Sequence, residues 1–198
     1  PQLAVPLVAD MTSDFLTRPI PVDRFGLIYA SAQKNLGIAG LCVVIVHQNL
    51  LRRPPRHLPA AFSYAVQAEQ QSRFNTPPSF ALYVTGLMLR WIRQNGGLPA
   101  MDEAAQRRSR ELYRYIDTSR IYRCRQHPPD RSAINVCFRL IEPGLTDTFV
   151  QQAAQHGLYN LHGHAAEGGI RASLYNAMPQ AGVRRLIAFM TAFEHAHG

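Results

Sequence analysis

The sequence predicts an α/β protein in two parts that divide near Gly96. In the first part, apolar runs of strand length at Leu3–Ala9, Leu27–Ala30 and Leu41–Val46 are separated by turns bearing glycine and proline. In the second, the order after Gly97 is helix, strand, helix, strand, strand, helix, the pattern of a small α/β layer domain. At 198 residues and 46% hydrophobic content, the chain can bury a sizeable core in one large domain or one and a half small ones.

The chain opens without an initiator methionine on the buried-strand pattern Leu3–Ala9, which ends at Asp10. An apolar strand with no lead-in suggests that the chain begins inside a fold and that an N-terminal portion is missing. Pro6 has no N–H for a ladder, so this strand belongs at an edge or carries a bulge. Pro19 and Pro21 mark a loop, and Gly37 and Gly40 turn the chain from Leu27–Ala30 into Leu41–Val46. Arg52–Arg56, with Pro54 and Pro55 inside it, reads as a turn rather than a domain linker. Thr76 is placed to cap a long helix with Pro77 at its first position. Tyr83, Leu87 and Ile92 recur at helical spacing between Phe80 and Arg93, and Gly96 and Gly97 end that helix.

Asp102–Ile116 follows as a helix, charged on one face with Leu112, Tyr113 and Ile116 on the other. After the turn at His127–Asp130, Ala133–Ile141 alternates as a strand, with Ile134, Val136 and Phe138 on one side. Leu145–Gln155 is helical and closed by Gly157. Leu158–Leu161 and Ile170–Leu174 are short strands around the glycine-rich, histidine-bearing loop His162–Gly169, and Gly182–His195 is a terminal amphipathic helix.

Composition narrows the function classes. No apolar stretch reaches the roughly 20 residues needed to span a bilayer, and the first residues lack the basic start of a signal peptide, so no membrane association and a cytoplasmic location are expected. Cys42, Cys124 and Cys137 are odd in number and show no CxxC spacing, which reads as reduced, mostly packed thiols. The formal charge is +8, but the arginines are scattered with no aromatic-interleaved stripe or reader motif. A solvated basic surface that favours small anionic substrates is expected, with no nucleic-acid partner. His162-Gly163-His164 has no acidic or cysteine partner at ligand spacing, so no metal site is expected. The absence of a GxSxG elbow, P-loop or dinucleotide fingerprint leaves serine-nucleophile and phosphoryl-transfer chemistry without support.

Lys34 is the only lysine among 21 basic side chains, the rest being arginine. Arginine keeps its proton near neutrality, whereas an amine can be made neutral and nucleophilic by burial or a neighbouring cation. Lys34, in the turn between two strands, is therefore the one side chain able to form a Schiff base; the alternative is a solvated loop lysine. Asp10 stands at the carboxyl end of a strand, where open α/β sheets place ligand sites; the alternative is a carboxylate capping the turn Met11–Asp14. The helix start after Thr76 suits either an anion or an ordinary cap.

Four stretches, in this order, carry a resemblance: Val8-Ala9-Asp10-Met11-Thr12-Ser13-Asp14, Tyr29-Ala30-Ser31-Ala32-Gln33-Lys34-Asn35, Phe74-Asn75-Thr76-Pro77-Pro78, and Gly169-Ile170-Arg171-Ala172-Ser173-Leu174-Tyr175-Asn176-Ala177-Met178-Pro179. Together they resemble the phosphoserine aminotransferases, class V enzymes of fold type I that use pyridoxal phosphate. The resemblance covers essentially the whole chain and implies an aspartate aminotransferase-like architecture. Residues 1–95 would be the C-terminal part of the cofactor-binding large domain, and residues 96–198 the small C-terminal α/β domain.

The implied reaction is transamination between O-phospho-L-serine and 2-oxoglutarate, giving 3-phosphohydroxypyruvate and L-glutamate. It serves L-serine synthesis and, in some relatives, pyridoxine synthesis. In that reading Lys34 forms the Schiff base and shuttles the substrate Cα proton, Asp10 holds the pyridine nitrogen protonated, and Gln33 contacts the ring beside the lysine. Asn75 and Thr76 reach the cofactor phosphate of the neighbouring subunit, which implies a homodimer with a shared site. Arg171 binds the substrate α-carboxylate, and His164 lies near its distal phosphate or carboxylate.

One departure concerns the phosphate. Several relatives have an arginine after that histidine, where this chain has Ala165, with Glu167 nearby. A missing cation and an added anion should weaken phosphate binding unless arginines from the missing N-terminal portion compensate. Rival readings are another class V enzyme, such as a serine or alanine transaminase or a cysteine desulfurase, and a basic non-catalytic binding module. A desulfurase would need a nucleophilic cysteine in a flexible loop, whereas Cys137 falls in an expected strand and Cys42 in an apolar run.

Overall fold

The computed structural model describes residues 5–52, 57–165 and 167–198, so the expected turn at Arg52–Arg56 lies mostly outside the described residues. The chain is α/β and forms two compact units, Pro1–Met101 and Asp102–Gly198.

In the first unit, β1 (Val8–Asp10) runs parallel to β2 (Leu27–Ser31), and β3 (Cys42–Val46) is antiparallel to β2, in the order β1-β2-β3. Of the expected strand Leu3–Ala9, Leu3 and Ala4 lie outside the described residues, and Val5–Leu7 is not strand. Pro6 offers no ladder donor, and pairing starts only where the Gly26 amide donates to the Leu7 carbonyl at 2.9 Å. The central strand carries the core through Leu27, Ile28 and Ala30, whereas β3 is only half-buried and its Cys42 is exposed, against the expectation of a packed thiol. Two short helices absent from the sequence reading, α1 (Gln48–Leu51) and α2 (Tyr64–Glu69), follow.

The long helix α3 (Ser79–Gln94) begins two residues later than a Thr76 cap would place it. A residue before proline is pushed out of the helical region, which keeps Thr76 and Pro77 out of the helix and leaves Pro78 at the N-cap with no side-chain cap bond. Of the expected stripe only Ile92 is buried: Ala81 and Thr85 point inward with it, while Phe80, Tyr83 and Leu87 are exposed.

Helix α4 (Gly97–Thr118) starts five residues before the expected Asp102 and contains the unit boundary. In the second unit, β4 (Tyr122–Arg123), β5 (Asn135–Leu140) and β6 (Ile170–Ser173) form an antiparallel sheet in that order. Alternation along β5 buries Val136, Phe138 and Leu140 and turns Asn135, Cys137 and Arg139 the other way. The buried face packs on α4, α5 (Thr146–Gln155) and α6 (Gln180–His197), giving a two-layer unit. At its centre Phe149 is fully buried, with Tyr122, Phe189 and Phe193 rings edge-on at 5.9, 5.1 and 5.1 Å. The buried Tyr122 hydroxyl donates to the Met190 carbonyl at 3.0 Å, fixing the two-residue β4 to α6.

Leu158–Leu161 is not a strand. Asn160 has φ 60°, which breaks the extended run, and only an isolated bridge between His162 and Ile170 extends the pairing.

Candidate active site

The first unit assembles its chemistry at the carboxyl ends of β1 and β2. Parallel pairing sets Asp10 beside Tyr29, and the turn after β1 is sewn to the loop after β2. The Met11 amide donates to the Tyr29 carbonyl at 2.8 Å, and the Ser31 amide donates to the Thr12 hydroxyl at 3.1 Å. Buried Asn35 donates to the Phe15 carbonyl at 3.2 Å. This stitching places the two residues on either side of the seam: the Lys34 amine donates to the Ser13 hydroxyl at 2.5 Å, and the Thr12 amide donates to Asp10 Oδ1 at 2.8 Å.

The Asp10 carboxyl is held below the usual aspartate range. Hydrogen bonds from the Thr12 side chain and amide contribute most and outweigh burial, which acts the other way, while Tyr29 and the positive charge of Lys34 add less. In turn, the Asp10 charge pushes the Tyr29 hydroxyl up. Asp10 is exposed, so a carboxylate anion is available at a strand end to accept a charge-assisted hydrogen bond. Lys34 and Gln33 are exposed beside it, on the connection between β2 and β3.

Asn75 and Thr76 lie in the exposed segment before α3. Among the described residues no hydrogen bond or ion pair joins them to Asp10 or Lys34. The sequence reading missed Ser13 and Tyr29. Ser13 stands inside the Asp10 motif as a hydroxyl in a turn, whereas the role of Tyr29 depends on a parallel register that spacing does not reveal.

His164 and Arg171 belong to the second unit. Arg171 is on β6 opposite Cys137; its amide donates to the Leu161 carbonyl at 2.9 Å, and its Nε is buried with no hydrogen-bond partner among the described residues. It borders a cavity of about 460 Å³ with Tyr159, Met178 and Arg185. Burial pushes the Cys137 thiol up, with the Arg171 charge opposing, so this cysteine is not an activated nucleophile.

His164 is exposed in the loop before β6 and borders a different cavity. The base of that loop is closed by the Gly163 amide donating to the Gly169 carbonyl at 2.8 Å, and a side chain at Gly163 would overlap the Gly168 carbonyl. Among the described residues no group of three or more His, Cys, Asp or Glu is placed to hold a metal, and no helix is long and apolar enough to cross a membrane.

The chain is similar to known proteins along nearly all of its length. The profile of the family described as aminotransferase class-V matches residues 2–186. A phosphoserine aminotransferase from Nitrosomonas europaea is 50% identical over 98% of this chain and 53% of its own length, and one from Coxiella burnetii is 46% identical over 100% and 55%. The crystal structure of phosphoserine aminotransferase from Bacillus circulans subsp. alkalophilus superposes with a TM-score of 0.96 at 41% identity, over 100% of this chain and 55% of that one. The pyridoxal phosphate-bound enzyme from Trichomonas vaginalis gives 0.91 at 37% identity, over 96% and 55%. The chain thus spans about half the length of the relatives it matches. With the family profile matching residues 2–186 of its 198, this chain belongs to the class V aminotransferase family.

Proposed function

We propose that the protein containing this chain is a phosphoserine aminotransferase, using pyridoxal phosphate to exchange an amino group between O-phospho-L-serine and 2-oxoglutarate. The observation that carries the reading is that the only lysine donates to Ser13 in the turn that follows Asp10, an aspartate held below its usual pKa, in a chain whose relatives bear that name at 46–50% identity. In this reading residues 1–95 complete a cofactor-binding large domain and residues 96–198 form the small domain.

The residues present suit the cofactor. Asp10 has one oxygen engaged by the Thr12 amide and a depressed pKa, as a partner for a protonated ring nitrogen requires. Lys34 offers an exposed primary amine held by Ser13, with its charge felt at Asp10. Gln33, exposed beside Lys34, would border the ring, and Asn75 and Thr76 precede a helix start free of any side-chain cap, whose amides favour a phosphate. When bound, the cofactor supplies the electron sink for carbanion formation at the substrate Cα.

The chain's own residues then have distinct tasks. Asp10 keeps the ring nitrogen protonated. Lys34 would hold the cofactor through its primary amine and, when free, would move the proton at the substrate Cα. Arg171 holds the α-carboxylate through a planar fork, consistent with its unpaired Nε, and His164 faces the distal group.

The exposed apolar side chains Phe80, Tyr83 and Leu87, at helical spacing on α3, support assembly into a homodimer in which Asn75 and Thr76 serve the partner's cofactor. A cytoplasmic location fits an enzyme of this kind. The test is the visible absorption spectrum with added pyridoxal phosphate, for this chain and for an N-terminally extended protein, each with and without Lys34→Ala. A lysine-dependent band that shifts with O-phospho-L-serine but not L-serine is expected; absence of the band in both lengths would overturn the reading.

A further inference from the structure

On the polar face of the second unit's sheet the arginines follow a pattern that the core does not require. Arg123 and Arg139 stand directly opposite each other across β4 and β5, and Arg171 is opposite Cys137, two residues along β5, or about 7 Å at the rise of a strand. Like charges directly opposite each other destabilise a strand pair unless an anion offsets them. Arg123 is satisfied by the Ser119 and Tyr122 carbonyls at 2.8 and 2.7 Å. Arg139 donates to the backbone carbonyl of Glu167, which brings the loop over the sheet.

The carboxylate of Glu167 supplies the only negative side chain bordering this pocket among the described residues, and it does so loosely. It lies 3.8 Å from Arg125 and 3.9 Å from Arg139, beyond hydrogen-bond length, with its side chain 74% exposed. Long, exposed ion pairs of this kind are screened by water and contribute little. Arg123, Arg125, Cys137, Arg139, His164 and Glu167 border a cavity of about 390 Å³, large enough for a phosphate group with some of its water. Three guanidinium groups against one carboxylate leave it positive even with His164 neutral.

We propose that Arg139 and Arg125 form the anion subsite for the distal group of the substrate, and that Glu167 is an internal carboxylate that an incoming dianion displaces from them. Ala165 contributes no cation from the loop; β5 and the segment after β4 contribute two instead. The sheet face thereby offers separate cationic positions to the two ends of a doubly anionic amino acid, Arg171 for one and Arg139 with Arg125 for the other. A planar fork favours phosphate or carboxylate oxygens over the looser geometry of Glu167. The identity of the substrate rests on the aminotransferase reading; the affinity of the pocket for a dianion does not.

The test uses the whole chain, labelled with nitrogen-15, and follows the arginine Nε–Hε signals during titration with inorganic phosphate, O-phospho-L-serine and L-serine. Phosphate and phosphoserine should move the Arg139 and Arg125 signals, and L-serine should not. Arg139→Gln should weaken phosphate binding roughly tenfold or more, as loss of a charge-assisted fork requires. Arg125→Gln, at an exposed position with little bearing on folding, should weaken it severalfold. Glu167→Gln should tighten it about threefold or more by removing the competing anion.

Unchanged affinity in both arginine variants, or weaker binding in Glu167→Gln, overturns the proposal; the latter would mean that Glu167 only braces the loop. The two readings also fail separately. If phosphate binds as described but phosphoserine gives no Lys34-dependent spectral change in the extended protein, the subsite stands and the aminotransferase reading falls. If that spectral change occurs and Arg139→Gln and Arg125→Gln leave its phosphoserine dependence unaltered, the reading stands and the subsite falls.

Discussion

Asp10 and Tyr29 are register partners across the parallel pairing of β1 and β2, and the charge of the first raises the pKa of the second. The pair thus stays as carboxylate and phenol over the whole physiological range. Thr12 contributes most to holding Asp10 low. In Thr12→Val, Asp10 should titrate at higher pH than in the wild type, measured by carboxyl carbon-13 shifts. In the extended protein, Asp10→Asn should lower turnover by on the order of 10²-fold or more, the usual scale for losing a preorganised electrostatic partner.

Lys34→Arg retains a positive charge and a donor for Ser13 while removing the primary amine. Cofactor-dependent absorbance and transaminase turnover should be lost as completely as in Lys34→Ala, read by spectroscopy and a glutamate-release assay. Partial activity in Lys34→Arg would show that the lysine acts by charge alone.

Glu194 is the acid-sensitive point of the second unit. Burial would push its carboxyl up, but the Arg120 amide at 2.7 Å and the Tyr115 and Ser119 hydroxyls at 2.9 and 3.0 Å outweigh that and leave it below the ordinary glutamate value of 4.5. Tyr115, pushed up to about 12 chiefly by burial, remains a donor throughout. A depressed folded pKa stabilises above the unfolded value and stops doing so as pH falls through the folded one. The stability advantage of the wild type over Glu194→Gln, about 1 kcal/mol near neutrality, should therefore shrink as pH drops below 4.5. Urea unfolding followed at β5 amides over a pH series would measure it.

Phe149→Ala removes the ring around which the aromatic cluster of the second unit is arranged. A cost of about 3–5 kcal/mol is expected, enough to unfold a marginal unit. Phe149→Leu, which keeps most of the volume, should retain the fold in circular dichroism.

The second unit was the more legible of the two in sequence because its sheet has one buried face. The alternation at Val136, Phe138 and Leu140 follows directly from that burial. The first unit was harder to read where spacing cannot tell which neighbour a side chain meets. Tyr83 and Leu87 form an apolar stripe of the right period, yet α3 turns Ala81, Thr85 and Ile92 inward. Thr76 looked like a helix cap until the two following prolines are considered together, since the first cannot turn helical before the second. Lys34 and Asp10 were legible as chemistry from residue type and position. Ser13, Tyr29, Arg125 and Arg139 acquire meaning only from strand register or from a loop folding over a sheet.

The glycine-closed base of the His164 loop separates two kinds of change. At Gly163 there is no room for a side chain, and at Gly169, with φ 68°, an added Cβ would come within 2.8 Å of Arg139 Cγ and the Phe138 carbonyl, so the stem tolerates little. Between them, His164, Ala165 and Glu167 are exposed and carry no part of the core. Substitutions at the tip can therefore retune which anion is welcomed without touching the packing beneath, so the loop can act as an exchangeable selectivity cassette on an invariant frame.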